Sequence, residues 1–234
     1  MNFRVKLFAD GAELGPMMEL YRNPLIQGFT TNPTLMRKAG ISDYRSFAKE
    51  VVAAIPDRPI SFEVFADDFP TMERQASEIA AWGDQVYVKI PITNTKGESS
   101  APLIERLVAK NIKLNVTAMM TLEQVKEVVP ILATGPSCNI SIFAGRIADT
   151  GRDPIPHMEE AMRMIRPYPQ IELIWASPRE VLNVWQADSV GCHIITATPD
   201  ILKKLGLAGK DLDEYSLETV QMFYTDGQKA GFTL

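Results

Sequence analysis

The sequence has few of the side chains that form disulfides or bind transition metals, with two cysteines and two histidines in 234 residues. Cys138 and Cys192 lie far apart, in or beside apolar runs, and show no metal-ligand spacing. We interpret both as buried packing residues, the common environment of a free cysteine. The sequence therefore indicates neither a disulfide framework nor a metal centre.

Basic charge and long apolar runs are also scarce. A formal net charge of −5 and a pI near 5.2 argue against a nucleic-acid-binding surface. No apolar run approaches the ~18 residues that a membrane span needs, and the first residues contain no apolar signal-peptide core. We therefore expect a soluble, cytoplasmic protein that binds neither nucleic acid nor membrane.

Glycine-rich phosphate-binding motifs are missing as well. An open dinucleotide-binding sheet would carry a glycine fingerprint after its first strand, where this chain has Asp10-Gly11-Ala12-Glu13. The sequence contains no GxxxxGK[ST] motif either. These absences argue against an open doubly wound sheet, the alternative to a closed barrel. We also expect no cofactor.

Strand-like and helical stretches alternate along the whole chain. Strand-like runs cover residues 5–10, 27–32, 60–66, 86–92, 113–119, 139–143, 171–176 and 192–196. Helical patterns cover about 16–22, 44–55, 71–82, a stretch ending near 110, 122–132 with Thr121 as N-cap, 156–165, 178–187 and, last, about 216–229. Eight such repeats without a linker predict an α/β fold, a single-domain (β/α)8 TIM barrel over residues 1–234.

One cation, Lys89, lies in the middle of the apolar run from Val86 to Ile92. Burying an unpaired ammonium costs several kcal/mol or forces the group to lose its proton. A lysine pushed toward neutrality is a nucleophilic amine that can form a Schiff base with a carbonyl substrate. By itself the segment fits equally well a lysine near a strand end whose ammonium reaches solvent.

Polar residues at the other strand ends help to decide between these two interpretations of Lys89, because barrel enzymes build their sites at the C-terminal ends of the strands. We expect the site to combine Asp10, Thr31, Asn32, Glu63, Lys89, Asn115, Thr117, Arg146, Ser177 and Arg179. Trp175 comes two residues before Ser177, and by strand alternation we expect it to line the pocket. A carboxylate, an amine, a hydroxyl and an amide on neighbouring strands favour a catalytic site.

The types of side chain suggest distinct catalytic roles. Lys89 attacks a ketone to give an iminium ion, and Asp10 takes the proton of a substrate hydroxyl so that a carbon–carbon bond breaks to an enamine. Glu63 assists imine formation through a water polarised by Thr117. Asn32 holds a substrate hydroxyl.

Two arginines and a serine follow the sixth and seventh strands. Arg146, Ser177 and Arg179 offer guanidinium groups and a hydroxyl for a terminal anion, most simply a phosphate. The alternative is that Arg146 pairs with Asp149, and Arg179 with Glu180 or a neighbour on its helix, as solvated ion pairs of little energetic weight.

Simpler explanations also remain open for the first two strand ends. Asp10 before Gly11 is compatible with a turn residue, and Thr31-Asn32-Pro33 with the exit from a strand. A separate hypothesis is a non-catalytic barrel that serves as a binding or scaffold protein; loss of Asp10, Glu63 or Lys89 would favour it, and all three are present.

Several motifs resemble those of the transaldolase family in order and spacing. They are Gly28-Phe29-Thr30-Thr31-Asn32-Pro33-Thr34, Val88-Lys89-Ile90-Pro91, Asn115-Val116-Thr117, Phe143-Ala144-Gly145-Arg146-Ile147-Ala148-Asp149 and Ala176-Ser177-x-Arg179. The match runs from Asp10 to about Cys192, and the length resembles the compact subgroup that includes fructose-6-phosphate aldolases. The resemblance implies a cofactor-free, homo-oligomeric Schiff-base enzyme acting on sugar phosphates, with the pentose phosphate pathway as its setting.

Two positions separate the activities within this family. The aldolases carry Gln and Tyr where this chain has Glu63 and Phe143, and transaldolases carry Glu and Phe. A tyrosine hydroxyl would help to protonate the enamine and release dihydroxyacetone, whereas Phe143 cannot donate a proton. The resemblance therefore implies transfer of a dihydroxyacetone unit from a sedoheptulose 7-phosphate or fructose 6-phosphate type of ketose to an aldose phosphate, with aldolase activity as the alternative.

Three departures from the family pattern concern the substrate. Trp175 stands where a small residue is expected, Pro178 replaces the usual aromatic residue, and the loop over residues 94–100 is longer and more polar. If these features reshape the anion pocket, a modified sugar such as a sulfonated one is a further alternative.

Overall fold

The computed structural model describes residues 2–233, and within them eight parallel strands close into a barrel in sequence order. The strands are β1 (Lys6–Asp10), β2 (Ile26–Thr30), β3 (Ile60–Glu63), β4 (Val86–Pro91), β5 (Leu114–Met119), β6 (Cys138–Ile142), β7 (Ile171–Trp175) and β8 (Ile194–Ala197). β8 pairs with β1 and completes the ring. The predicted α/β barrel is confirmed.

The registers of the parallel strands bring candidate residues side by side. Glu63 is aligned with Lys89, Lys89 with Asn115, and Asp10 with Thr30. Paired residues of a parallel sheet point to the same face, so each of these pairs shares one side of the sheet. The barrel therefore converts residues far apart in sequence into neighbours.

Apolar side chains fill the barrel interior beneath these polar residues. Phe8, Ile174, Ala176 and Ile194 form a buried cluster, and Phe143 packs against it. Phe8 lies two residues before Asp10 on β1, so the cluster supports the strand end that carries this carboxylate. The closely packed cluster gives the candidate site a rigid base.

Helices follow each of the eight strands. They are α1 (Leu14–Tyr21), α2 (Pro33–Lys38), α3 (Tyr44–Ala54), α4 (Phe69–Ala80), α5 (Ala101–Ala109), α6 (Leu122–Leu132), α7 (Ala144–Asp149), α8 (Ile155–Ile165), α9 (Leu182–Ser189) and α10 (Pro199–Lys203), the last of which lies after β8. The prediction for α6 is confirmed, because the Thr121 side chain accepts from the Gln124 N–H and the Gln124 side chain accepts from the Thr121 N–H. These reciprocal bonds form a capping box.

The second strand ends at Thr30, earlier than the predicted residue 32, because a short helix, α2, begins at Pro33. The Asn32 side chain accepts from the Leu35 N–H at 2.9 Å, and Pro33 occupies the first helical turn. Asn32 is therefore the N-cap of α2, so this segment starts a helix as well as ending a strand. A second short helix, α7, is also absent from the prediction; it follows β6 directly, and its N-cap residue, Phe143, forms no side-chain capping bond.

The helix after β7 begins at Leu182, later than the predicted residue 178. The Asn183 side chain accepts from the N–H groups of Arg179 and Glu180, at 2.7 and 3.2 Å. These bonds hold the preceding segment as a turn, and Ser177 adopts a left-handed backbone with φ 59°. The chain between β7 and α9 is therefore an ordered loop at the mouth of the barrel.

Residues from Lys203 onward form a second compact unit. It contains a 3-10 turn (Lys204–Leu207) and α11 (Leu212–Ala230). α11 is longer than predicted, because the Asp211 side chain caps its first turn and Gly231, with φ 66°, caps its end. Across residues 2–233, no helix is both long enough and apolar enough to cross a membrane.

Candidate active site

A cavity of about 590 Å³ opens at the C-terminal ends of the strands. The predicted residues that contribute to its lining are Asp10, Asn32, Glu63, Lys89, Asn115, Thr117, Phe143, Arg146, Ser177 and Arg179. It is also lined by Thr30, Pro33, Thr34, Leu35, Lys38, Ala118, Ser141, Ala176 and Thr196. The strand ends singled out from the sequence thus converge at one place.

Lys89 is almost inaccessible to solvent, at 6% exposure. Its Nζ lies 3.0 Å from Glu63 Oε2 and donates to the backbone oxygen of Thr31 at 2.8 Å. The alternative of a lysine whose ammonium reaches solvent is therefore wrong. The amine is buried but paired, and Glu63 supplies the countercharge that a buried cation needs.

Asp10 lies at the cavity, where its Oδ1 accepts from Thr30 Oγ1 at 2.8 Å. Burial raises the pKa of Asp10 above its ordinary value. The Lys89 ammonium and the Thr30 hydrogen bond partly offset this effect, while the Glu63 carboxylate adds to it. A carboxylate with a raised pKa is suited to accept a proton near neutral pH.

Thr117 is 1% exposed, and its Oγ1 has no hydrogen-bond partner among the residues that the structure describes. Because buried polar atoms are nearly always hydrogen-bonded, this hydroxyl is suited to hold a water or a substrate group. The following residue, Ala118, has φ 61°, and the pairing of β5 with β6 is irregular there. Such strain in a non-glycine residue is concentrated at functional sites.

A chain of polar side chains fixes Asn115 beside Lys89. Asn115 Nδ2 donates to Ser61 Oγ at 3.1 Å, and Ser141 Oγ donates to Asn115 Oδ1 at 2.7 Å. All three side chains are buried. The second hydrogen on Asn115 Nδ2 has no acceptor among residues 2–233, so this amide has a donor to spare.

Arg179 forms a forked ion pair with Asp149, in contrast to the pairs that the sequence suggests. Its Nε donates to Asp149 Oδ1 at 2.8 Å, and its Nη2 donates to Oδ2. This hydrogen-bonded pairing lowers the pKa of Asp149 and raises the pKa of Arg179. Arg179 Nη1 also donates to Ser177 Oγ at 3.0 Å, so the guanidinium orients the serine hydroxyl.

Arg146 forms no salt bridge within the described residues, and its guanidinium carbon lies 5.3 Å from the centre of the Phe143 ring. Arg146 lies on α7, and this helix can approach the turn at Ser177 because the residue before Arg146 is Gly145. A Cβ on Gly145 would fall 1.6 Å from the Ser177 backbone oxygen. Glycine thus allows the arginine and the serine to share one side of the cavity.

Two predicted residues do not line the cavity. The Thr31 side chain is buried and donates to a backbone oxygen of β3, so only its own backbone oxygen contacts Lys89. Trp175 is fully buried and lies outside the lining. Ala176 lines the cavity, which places Trp175 on the opposite face of β7, and the left-handed backbone of Ser177 breaks the alternation on which the prediction for Trp175 rests.

The other two departures from the family pattern also lie outside the cavity lining. Neither Pro178 nor any residue of the loop 94–100 contributes to it. The loop is tied down at Thr95, whose N–H and Oγ1 both donate to the Asp67 carboxylate at 2.7 Å. The loop is therefore anchored to the segment after β3 and contributes no residue to the lining of this cavity.

Sequence reasoning missed several residues of the cavity, among them Thr30, Ser141 and Thr196. Thr30 Oγ1 and Thr196 Oγ1 lie 2.5 Å apart. Thr196 lies near the C-terminal end of β8, so inspecting the eighth strand end like the other seven would have found it. Lys38 belongs to α2, a helix for which the sequence pattern offers little signal.

No group of histidine, cysteine and acidic side chains within residues 2–233 is arranged to hold a metal ion. Cys138 and Cys192 are free and buried, and burial raises the pKa of each thiol to about 12. Both cysteines therefore fit the packing role that the sequence indicates.

Comparisons with known proteins agree with the motifs. The sequence model of the transaldolase/fructose-6-phosphate aldolase family matches residues 7–234. A "probable transaldolase" of Dehalococcoides mccartyi is 30% identical over 86% of this chain and 90% of its own, and one of a Thermoanaerobacter species is 31% identical over 98% and 100%. A crystal structure of 2,3-dimethylmalate lyase matches with a TM-score of 0.59 and 12% identity, over 99% of this chain and 85% of that chain, a likeness of fold alone.

Proposed function

This chain belongs to the transaldolase/fructose-6-phosphate aldolase family, and from that premise we propose that it is a Schiff-base transaldolase. It moves a dihydroxyacetone unit from a ketose phosphate of the sedoheptulose 7-phosphate or fructose 6-phosphate type to an aldose phosphate. The observation that carries the proposal is the buried amine of Lys89, which lies 3.0 Å from Glu63 Oε2 at a cavity that Asp10 also lines. This arrangement supplies a nucleophile together with two carboxylates.

Imine formation begins when Lys89 gives a proton to Glu63 and its Nζ attacks the C2 carbonyl of the ketose. A carbinolamine results, and its oxygen must gain a proton and leave as water. Glu63 returns the proton through a water held by Thr117, whose hydroxyl has no hydrogen-bond partner among residues 2–233. The support for this step is that donor, acceptor and water-binding hydroxyl line one cavity.

Cleavage follows from the position of Asp10. It takes the proton of the C4 hydroxyl, the C3–C4 bond breaks, and the bonding electrons move through C2 to the iminium nitrogen. The products are an aldehyde and an enamine on Lys89. The raised pKa of Asp10 suits a group that must take up this proton and later return it to the aldehyde oxygen during transfer.

Phe143 is the residue that favours transfer over simple cleavage. It lines the cavity and packs against the apolar cluster beneath it, and its ring has no proton to donate to the enamine carbon. The enamine therefore persists until an aldose phosphate enters and forms the new carbon–carbon bond. Aldolase activity, the second candidate, requires a proton donor near this position.

The terminal anion is proposed to be a phosphate bound by Arg146, Ser177 and Arg179. Arg146 has no salt-bridge partner in the part of the chain that the structure describes, so its guanidinium is available for the anion, and Arg179 orients the Ser177 hydroxyl. Trp175 and Pro178, two of the features behind the alternative of a sulfonated sugar, both lie outside the cavity lining.

The proposal is tested by acceptor dependence. With fructose 6-phosphate alone we expect almost no free dihydroxyacetone, and with erythrose 4-phosphate added we expect sedoheptulose 7-phosphate. Phe143→Tyr should increase the release of free dihydroxyacetone by at least about tenfold, because it supplies a proton donor. Phe65→Tyr, a change at an exposed residue outside the cavity lining, is the matched control and should leave this release at the level of the unaltered protein. Release by the unaltered protein without acceptor would instead establish an aldolase.

We also propose that the chain forms a homo-oligomer through α11. Leu217, Val220 and Tyr224 recur on one face of this helix and are 57 to 70% exposed. Apolar side chains in that pattern are a usual sign of a protein–protein contact, here with a second copy. Sedimentation velocity should give a multiple of 26.0 kDa, reduced by Val220→Glu and unchanged by Thr219→Glu. A single species of 26.0 kDa at micromolar concentration would rule out the oligomer.

The proposed location is the cytoplasm and the proposed setting is pentose phosphate metabolism. Two free, buried thiols are consistent with a reducing compartment.

A further inference from the structure

Three residues from three adjacent strands form a line of oxygen atoms that ends at Asp10. Thr196 comes from β8, Asp10 from β1 and Thr30 from β2. Thr196 Oγ1 lies 2.5 Å from Thr30 Oγ1, and Thr30 Oγ1 lies 2.8 Å from Asp10 Oδ1. Both threonines are almost fully buried, at 7% and 2% exposure.

The direction of the hydrogen bonds in this line follows from proton counting. Ionised Asp10 can only accept, so the single hydroxyl proton of Thr30 goes to Asp10. Thr30 then has no proton for Thr196, and the proton in the 2.5 Å contact must come from Thr196. The donors therefore run from Thr196 through Thr30 to Asp10.

This order gives Thr196 influence over an oxygen that it does not touch. A hydroxyl that accepts a hydrogen bond becomes a better donor, and the Thr196 bond also limits rotation of the Thr30 hydroxyl. The bond from Thr30 uses Asp10 Oδ1, and Oδ2 accepts no hydrogen bond from the described residues. Oδ2 is thus the oxygen available for the substrate proton.

We propose that Thr196 is a positioning residue, whose hydroxyl holds Thr30 as a donor to Asp10 Oδ1 and so leaves Oδ2 as the base that deprotonates the substrate. The inference rests on the proposed role of Asp10 in carbon–carbon cleavage. Apart from the two threonines, the groups that act on Asp10 are the Lys89 ammonium and the Glu63 carboxylate.

The consequence is a specific pH signature. The hydrogen bond from Thr30 lowers the pKa of Asp10 against the effect of burial. If Thr196 no longer supports that bond, the pKa of Asp10 rises further, and more alkaline solution is needed to ionise it. The acid limb of the kcat profile then moves to higher pH, while the Schiff base on Lys89 still forms.

The experiment compares Thr196→Val with Thr196→Ser in the full-length protein. Valine keeps the shape without the hydroxyl, and we expect the acid limb of kcat to move to higher pH, with kcat at pH 6 reduced by about fivefold. Serine keeps the donor and should retain the profile of the unaltered protein. Borohydride trapping with fructose 6-phosphate should label Lys89 in all three proteins.

Each result decides the proposal. A shifted limb in the valine variant and a normal limb in the serine variant support it, whereas equal limbs in all three proteins overturn it. If Thr196→Val does not fold, Thr196→Ala also lacks the donor and must show the same shift. Failure of borohydride to label Lys89 in the unaltered protein would contradict the proposed function itself, independently of Thr196.

Discussion

Replacing Lys89 by methionine should reduce transfer by at least about 10,000-fold and abolish the borohydride-trapped adduct, because the nucleophile of the covalent step is lost. Methionine fits a buried site of similar length but carries no amine. The measurement is transfer from fructose 6-phosphate to erythrose 4-phosphate, followed by borohydride reduction and peptide mass mapping. In the unaltered protein the adduct should lie on the peptide that contains Lys89.

Two further variants separate loss of chemistry from loss of structure. Lys89→Met leaves Glu63 without its countercharge, which can weaken the fold. Lys89→Arg keeps a cation there but forms no imine, because the guanidinium stays protonated. Lys113→Met is the matched control, since that lysine donates to the Asp84 backbone oxygen outside the cavity lining and should retain activity and adduct. Transfer that survives in Lys89→Arg, or an adduct on Lys38 at the cavity, would refute the proposed nucleophile.

Replacing Asp10 by asparagine should reduce kcat by about 100- to 10,000-fold, the usual effect of losing a general base. The loss should fall on cleavage and spare imine formation, because Glu63 and Thr117 remain. Borohydride should therefore trap the uncleaved six-carbon sugar on Lys89 in place of the three-carbon fragment. Asp43→Asn is a matched control, since this exposed N-cap works equally well as asparagine. A three-carbon adduct formed at the normal rate would show that another group takes the proton.

The same variant should be more stable than the unaltered protein at pH 7. Burial raises the pKa of Asp10 in the folded state above its ordinary value of 3.8, so ionisation of this group opposes folding. Protonated Asp10 favours folding. Its contribution to stability is complete below the pKa of this group in the unfolded chain, and it is lost as the pH rises through the pKa of the group in the folded protein. Asparagine avoids this loss, and its Oδ1 still accepts from Thr30. Urea unfolding at pH 7 and pH 3 should show a higher free energy of unfolding for the variant at pH 7 alone.

Much of the fold follows from local sequence signals. Eight strand-like runs separated by helical periodicity predict the barrel, because burial on both faces selects continuous apolar runs and helices select a period of 3.6 residues. The helix after Thr121 is predicted to the residue, because its capping box involves only the first turn. The converging strand ends identify Lys89, Asp10 and Glu63 as one group, because every strand of a parallel barrel ends at the same rim.

Local sequence signals do not predict which side chains pair with each other within the site. Arg179 pairs with Asp149, 30 residues away, because the turns after β6 and β7 meet where Gly145 lets them approach. Trp175 lies behind the sheet, since the strand ends before Ser177 and alternation does not extend past a left-handed residue. Neither outcome is encoded in a spacing that can be read along the chain.

The sequence by itself therefore determined the barrel, the rim on which the polar residues gather and the buried lysine, because periodicity and composition decide burial locally. The tertiary structure alone decided which atoms meet: Glu63 with Lys89 and Thr196 with Thr30. These contacts depend on strand register and on closure of the ring between β8 and β1, which brings together residues more than 160 positions apart.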